Sequence, residues 1–179
     1  MRGDRAALRA LRELMWTTPG VGEGIRGVIL YDEALRESKK DGTLFVNGLI
    51  GAGIIPGIKV DLGAKEMAGC PGEKITEGLD GLRDRLAEYA HLGARFAKWR
   101  AVIAVGDGLP SRGCLEANAQ ALARYAAVCQ AAGLVPIVAP EVLMDGAHTL
   151  DRSGGVTEAA PGLVVPQAVP PPRPRGGWP

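Results

Sequence analysis

Three segments of the chain repeat apolar residues at helical spacing, and each of them predicts an amphipathic helix. The first covers residues 4–15, with Asp4 as a possible N-cap. The second lies within residues 77–93, and the third lies within residues 114–133, where Ser111 precedes it as a candidate cap. The second and third segments end at a glycine, which is typical of helix C-termini. The apolar positions of the first two helices are Leu8, Leu11, Leu14, Met15, Leu79, Leu82, Leu86 and Tyr89.

Four short apolar runs lie between these helices or beside them, and they predict buried strands. The runs cover residues 27–31, 53–61, 94–105 and 134–143. Strands that alternate with helices indicate βαβ units and a mainly parallel sheet, so we expect an α/β fold. The spacing of the runs is close to the roughly 31 residues per unit of a (β/α)₈ barrel, and it also fits an open doubly wound sheet. A barrel would be partial here, with about four of its eight βα units.

The end of the chain has a different composition. The segment "PGLVVPQAVPPPRPRGGWP" is rich in proline and glycine and has no hydrophobic period. We therefore expect it to be disordered or to adopt a polyproline II conformation. A proline-rich recognition segment is the functional alternative, although its prolines and arginines match no sharp ligand motif. The sequence thus predicts a partial barrel over residues 1–155 and a disordered tail over residues 156–179.

The overall charge and the cysteines exclude several classes of function. The 179 residues carry a net charge of +1, which argues against the clustered basic surface of a nucleic-acid-binding protein. No apolar run approaches the roughly 20 residues of a membrane span, so we expect no membrane segment. Cys70, Cys114 and Cys129 have neither C-x-x-C spacing nor companion histidines, so we expect neither a zinc site nor a redox pair. Reduced, buried thiols fit a protein of the reducing cytoplasm.

The strand "ARFAKWRAVIAV" carries two cations in an otherwise apolar run. Lys98 and Arg100 are two residues apart, so their side chains share one face of the strand. The preceding strand ends with Lys59 and Asp61, and Glu141 lies near the end of the following one. Ligands bind at the carboxyl ends of the strands both in barrels and in open α/β sheets. Because an unpaired buried charge costs several kcal/mol, these ionisable groups together predict a functional site.

The types of charged residue at these strand ends restrict the chemistry. Neighbouring lysines lower each other's pKa, and a neutral amine can attack a carbonyl to form a Schiff base. Arginine and lysine bind phosphate, arginine through its planar fork. A carboxylate such as Glu141 could move protons between substrate and solvent. The residues alone therefore indicate an anionic carbonyl substrate, most simply a phosphorylated one.

Several motifs give the chain a family resemblance. "GVILYDEAL", "GIIPGIKVD", "FAKWR" and "LARYA" closely resemble segments of the class I fructose-1,6-bisphosphate aldolases, and the similarity covers about residues 9–152. The resemblance implies a (β/α)₈ barrel. It also implies a glycolytic enzyme that cleaves fructose 1,6-bisphosphate to dihydroxyacetone phosphate and glyceraldehyde 3-phosphate. That family works through a lysine Schiff base, without metal or another cofactor, usually as a cytoplasmic homotetramer.

The resemblance also implies roles for the charged residues. Lys59 matches the family's active-site lysine in "IKVD", and Lys98 matches the lysine that stabilises charge at the substrate's reacting hydroxyl groups. Arg100 matches an arginine near the distal phosphate. Glu141 matches the second glutamate of a Glu-Pro-Glu motif, which organises the lysine network. The first glutamate of that motif, the family's proton-transfer residue, is replaced by Ala139.

The resemblance places other functional residues outside the matched segment. A first strand with a catalytic aspartate should precede residue 1. The Schiff-base lysine and a phosphate-binding serine and arginine should follow residue 152. We therefore expect an internal or truncated piece of the family, with little or no activity of its own.

Three alternatives stay open at this point. The chain could belong to another Schiff-base aldolase that acts on a different phosphorylated sugar. It could also be a non-catalytic module that binds sugar phosphates or supports assembly. Finally, a partial barrel could simply aggregate through unpaired edge strands.

Overall fold

The computed structural model of the protein describes residues 4–39 and 42–168, which form two compact units. The first unit holds the described residues of Met1–Val60, Gly81–Lys98 and Cys129–Ile137. The second unit holds Asp61–Asp80, Trp99–Val128 and the described residues from Val138 onward.

In chain order the elements are α1 (Asp4–Thr17), α2 (Val21–Gly24), β1 (Gly27–Leu30), α3 (Asp32–Arg36), α4 (Phe45–Gly51), β2 (Ile55–Lys59), β3 (Ala64–Glu66), β4 (Lys74–Thr76), α5 (Leu82–His91), β5 (Phe96–Ile103), α6 (Arg112–Ala131), β6 (Val135–Val142) and α7 (Leu150–Ala168).

The main sheet has the strand order β1-β2-β5-β6. In the first unit β1 pairs with β2 in parallel, from Gly27 opposite Ile55 onward. β2 pairs with β5 in parallel as well, and this ladder ends where Lys59 lies opposite Lys98. The pairing confirms the predicted α/β fold with parallel strands and βα units.

The two faces of β5 differ in burial. Ala97, Trp99, Ala101 and Ile103 are buried, while the residues between them are only half-buried. This alternation follows from the two-residue period of a strand. It explains how a central strand can carry cations, because the cations and the core side chains occupy opposite faces.

Helix α1 was predicted correctly, but the leucines and the methionine of its predicted apolar face do not form the packed side. Arg12 forms an ion pair with Glu37 at 2.9 Å, and the Trp16 ring packs edge-on against Phe45 with ring centres 5.2 Å apart. These contacts turn the helix so that its leucines face outward in this structure. The exposed apolar residues of α1 are Leu8, Leu11, Leu14 and Met15.

Helix α7 corrects the prediction of a disordered tail from residue 156. The helix extends to Ala168, and it buries Val156, Ala160 and Val164 at intervals of four residues. Val156 and Ala160 join a core cluster with Ile103. A proline inside a helix costs about 3 kcal/mol, which obscured this periodicity in the sequence. The rest of the predicted tail, residues 169–179, lies outside the described residues.

The sequence analysis also missed several short elements. Helices α2, α3 and α4 and the antiparallel hairpin of β3 with β4 were not predicted. Each has too few residues to show a hydrophobic period. The hairpin lies in the second unit and leads the chain from β2 back toward α5.

A buried carboxylate joins this hairpin to α6 within the second unit. Glu73 is only 3% exposed and accepts hydrogen bonds from the Ser111 backbone N–H at 2.5 Å and from the Ser111 hydroxyl at 2.6 Å. Ser111 Oγ also accepts the Cys114 N–H at 3.1 Å, which confirms Ser111 as the cap of α6. Burial raises the pKa of Glu73, but hydrogen bonds from Ser111, Cys114 and Cys70 outweigh it, so the pKa is lowered overall.

The close approach of Gly57 to Phe96 gives a testable packing constraint. A Cβ atom at position 57 would overlap the Phe96 ring, so Gly57→Ala should reduce the free energy of unfolding by about 1–3 kcal/mol. The loss should be smaller when Gly57→Ala is combined with Phe96→Ala, which removes the overlapping ring. Urea denaturation of the wild type, of Gly57→Ala, of Phe96→Ala and of the double variant measures this coupling. Gly51→Ala is the control, because a Cβ there meets no heavy atom within 4 Å.

The lowered pKa of Glu73 predicts a pH-dependent contribution to stability. Because the folded-state pKa is depressed, the contribution is present above the unfolded value of about 4.3 and is lost as pH falls through the folded pKa. Glu73→Gln should therefore lower the free energy of unfolding at neutral pH, and this difference from wild type should shrink below about pH 4. Urea denaturation at a series of pH values tests it. A difference that stays constant with pH would contradict the expected result.

Candidate functional site

Two lysines lie side by side at the carboxyl end of the parallel ladder in the first unit. Lys59 of β2 is in register with Lys98 of β5, and the Val60 N–H donates to the Lys98 carbonyl at 3.1 Å. Residues paired across a ladder project to the same face, and adjacent strands are about 4.8 Å apart. Both lysines are half-buried. The sheet therefore brings together two cations that are far apart in the sequence.

An aromatic ring borders the Lys59 ammonium. Lys59 Nζ lies 5.8 Å from the centre of the Tyr31 ring, within the range of a cation–π interaction. Tyr31 directly follows β1, so it too lies at the carboxyl end of the sheet. Tyr31 was not among the site residues predicted from the sequence. Its position after the apolar run "GVIL" was the signal that could have identified it.

Arg100 and Glu141 form a two-point ion pair in the second unit. Arg100 Nη2 donates to Glu141 Oε1 at 2.8 Å, and Arg100 Nε lies 2.5 Å from Glu141 Oε2. The two side chains are 42% and 43% exposed, so solvent still reaches both. Only Nη2 donates a hydrogen bond to Glu141, and this group is one of the donors that a phosphate would use, whereas Nε lies close to the carboxylate without donating to it. Any anion that binds Arg100 must therefore compete with Glu141.

Backbone hydrogen bonds hold the Asp61 carboxylate. Asp61 is 8% exposed and accepts the Gly63 N–H at 3.1 Å and the Arg100 N–H at 3.3 Å. These backbone hydrogen bonds hold the turn after β2 against β5 within the second unit. Asp61 therefore supports the backbone beside Arg100.

The remaining predicted positions follow the strand pattern. Lys98 and Arg100 are two residues apart on β5, and both belong to its half-buried face. Lys98 forms no ion pair with any residue in the described ranges 4–39 and 42–168. Ala139 and Glu141 are likewise two residues apart on β6. The methyl group of Ala139 therefore lies on the same face of β6 as Glu141, at the position where a second carboxylate would be expected. The functional roles of these residues stay predictions.

The described residues hold neither a cluster of metal ligands nor a helix that could span a membrane. Between residues 4 and 168, apart from 40 and 41, no three His, Cys, Asp or Glu side chains are grouped as a metal ion would require. Among the helices that the structure describes, none is both long and apolar enough to cross a membrane.

Comparison with known proteins gives a consistent family. Residues 3–166 match the family model described as fructose-bisphosphate aldolase class-I. A probable fructose-bisphosphate aldolase class 1 of Xylella fastidiosa is 61% identical over 151 residues, which are 84% of this chain and 45% of that protein. The cytosolic fructose-bisphosphate aldolase 6 of Arabidopsis thaliana is 55% identical over 150 residues, which are 84% of this chain and 42% of that protein.

A solved structure shows the same fold. It is the fructose-bisphosphate aldolase of Plasmodium falciparum, in a complex with TRAP and a small-molecule inhibitor. The TM-score is 0.86 at 42% identity, over 89% of this chain and 47% of the Plasmodium chain. The chain thus spans less than half the length of the relatives that it matches.

The competition at Arg100 gives a test of the ion pair. Glu141→Gln removes the charge that neutralises the guanidinium, so the affinity for inorganic phosphate should rise. The expected gain is up to about fivefold, because a partly exposed ion pair contributes at most about 1 kcal/mol. Calorimetric titration at constant ionic strength measures it. The gain should vanish when Arg100→Ala is added, and a gain that persists in the double variant would contradict competition at Arg100.

Proposed function

This chain belongs to the class I fructose-bisphosphate aldolase family, and from that membership we propose that it supplies part of a sugar-phosphate site. The reaction of the whole protein is then the cleavage of fructose 1,6-bisphosphate to dihydroxyacetone phosphate and glyceraldehyde 3-phosphate. The observation that carries the proposal is the register of Lys59 with Lys98 at the carboxyl end of the sheet. Two adjacent ammonium groups there attract an oxyanion from the substrate.

We assign each charged residue a role by its chemistry. Lys59 and Lys98 hold the hydroxyl and oxyanion groups near the bond that breaks, and their positive charge stabilises negative charge that develops there. Arg100 binds a phosphate through its fork. Glu141 holds that fork in place until the phosphate arrives, since it contacts two nitrogens of the same guanidinium. Tyr31 keeps the Lys59 ammonium at the strand end.

The covalent step of the family needs groups that these residues do not supply. No lysine follows Lys98 among the 179 residues, and the family resemblance places the Schiff-base lysine after residue 152. Ala139 has no proton to give or accept where the family has a glutamate. We therefore propose that the chain by itself binds phosphorylated sugars and does not turn them over.

The relatives also suggest where the protein works. Three of the plant relatives are described as cytosolic aldolases. We propose that the partner of this chain is a phosphorylated sugar in the cytoplasm.

Binding of fructose 1,6-bisphosphate tests the proposed site. Arg100→Ala should weaken binding about 10- to 100-fold, because a hydrogen bond to a charged group contributes about 1.5–3 kcal/mol. Calorimetric titration of the purified chain measures the affinity. Arg112→Ala is the matched control, since it removes the same charge from a side chain that is 89% exposed on α6. Equal affinity in the wild type and in Arg100→Ala would refute the site.

Borohydride reduction in the presence of the sugar separates binding from catalysis. The chain should give no covalent adduct and no cleavage products, and Ala139→Glu should restore neither. A trapped adduct on Lys59 or Lys98 together with turnover would show that the chain is catalytically complete.

A further inference from the structure

Two cysteines meet at one buried carboxylate in the second unit. The Cys70 carbonyl accepts the Glu73 N–H at 3.1 Å, and the Cys114 N–H donates to the same Ser111 hydroxyl that donates to the Glu73 carboxylate. Cys114 is 1% exposed, whereas Cys70 is partly accessible to solvent. Neither thiol takes part in the sugar-phosphate site proposed above. Their meeting was not expected from the sequence, in which no C-x-x-C spacing connects them.

The backbone holds the first cysteine in place. Cys70 lies in the turn between β3 and β4, where its N–H donates to the Met67 carbonyl at 3.0 Å. The Glu73 N–H in turn donates to the Cys70 carbonyl at 3.1 Å. Cys70 and Glu73 therefore belong to one hydrogen-bonded turn, and the thiol stays close to the carboxylate.

The second cysteine is held by α6 and by the hairpin. Cys114 lies in the first turn of α6, where its N–H is capped by Ser111. Its Sγ contacts the Lys74 carbonyl at 3.6 Å, and Asn118 Nδ2 contacts the same sulfur at 3.6 Å. Lys74 is the first residue of β4, so Cys114 packs directly against the hairpin that carries Cys70.

We propose that Cys70 and Cys114 are a dithiol site that low-molecular-weight disulfides, such as oxidised glutathione, convert reversibly to an intramolecular disulfide. This site goes beyond the sugar-phosphate function, because it would operate whether or not a sugar phosphate binds. It differs from the expectation, drawn from the spacing of the cysteines, that they form no redox pair. The product joins the β3–β4 turn to the start of α6 by a covalent bond.

The exchange proceeds in two steps. The more accessible Cys70 thiolate attacks one sulfur of the oxidised glutathione, which forms a mixed disulfide and releases one glutathione thiolate. The Cys114 thiolate then attacks the Cys70 sulfur, which forms the protein disulfide and releases the second glutathione thiolate. The two protein protons pass to the two released thiolates. The chain loses two electrons, and one glutathione disulfide is reduced to two thiols.

The surroundings of Cys114 make the second step depend on pH. Burial raises the pKa of the Cys114 thiol, and the negative charge of Glu73 raises it further. Only the thiolate attacks a disulfide, so the second step should accelerate as pH rises. Glu73→Gln removes the adjacent charge and should accelerate this step at neutral pH.

Incubation of the reduced, full chain with oxidised glutathione tests the proposal. The count of free thiols should fall from three to one, and the intact mass should fall by about 2 Da because two hydrogens leave. Peptide mapping should find Cys70 linked to Cys114. Reduction by dithiothreitol should restore all three thiols.

Single substitutions provide the controls. Cys129→Ser removes the buried thiol outside the cluster and should leave the disulfide unchanged. Cys114→Ser should stop the reaction at a mixed disulfide on Cys70, which adds about 305 Da. Circular dichroism checks that each variant folds, and Cys114→Ala or Cys129→Ala replaces a serine variant that does not. A wild-type chain that accumulates only the mixed disulfide, or that links Cys129, would overturn the proposal.

Discussion

The hydrogen-bonded register between β2 and β5 is the constraint on which the charged surface of this protein depends. It sets Lys59 opposite Lys98, and the side chains of paired residues project to one face of the sheet. A slip of one residue would turn Lys98 toward the face that Ala97 and Trp99 now occupy. Both of these residues are fully buried, so their packing opposes the slip. The apolar face of β5 therefore determines where its cations lie.

The charges near this strand are stabilised in different ways. Arg100 is neutralised by Glu141 through two contacts, while Asp61 accepts backbone N–H groups. A charged group removed from water loses hydration free energy unless a partner or a hydrogen bond replaces it. Lys98 has no ion pair in the described part of the chain and keeps partial contact with water. Such a cation has no carboxylate partner that would compete with an approaching anion.

Prediction from the sequence succeeded where apolar residues form an unbroken run, as in β1 and β2, or a long hydrophobic period. β5, β6, α5 and α6 were found because each repeats its apolar positions over at least eight residues. The same method failed at α7, where Gly and Pro interrupt the pattern although Val156 and Ala160 are buried. It predicted α1 but not which side of this helix is packed. Arg12 and Trp16 contact Glu37 and Phe45, and the predicted apolar face is exposed. Packing decided these cases, and packing is not visible in a local pattern.

The sequence by itself determined the family, the parallel strands and the residue types available for the site, because strand periodicity and short motifs are local properties. Only the tertiary structure decided which residues meet. It set Lys59 beside Lys98, paired the Arg100 guanidinium with the Glu141 carboxylate, and placed Cys70 and Cys114 near the Glu73 carboxylate. Apart from Cys70 and Glu73, which share one turn, these contacts join residues that are distant along the chain. Their proximity depends on strand register and helix packing, for which the spacing of residues in the sequence carries no signal.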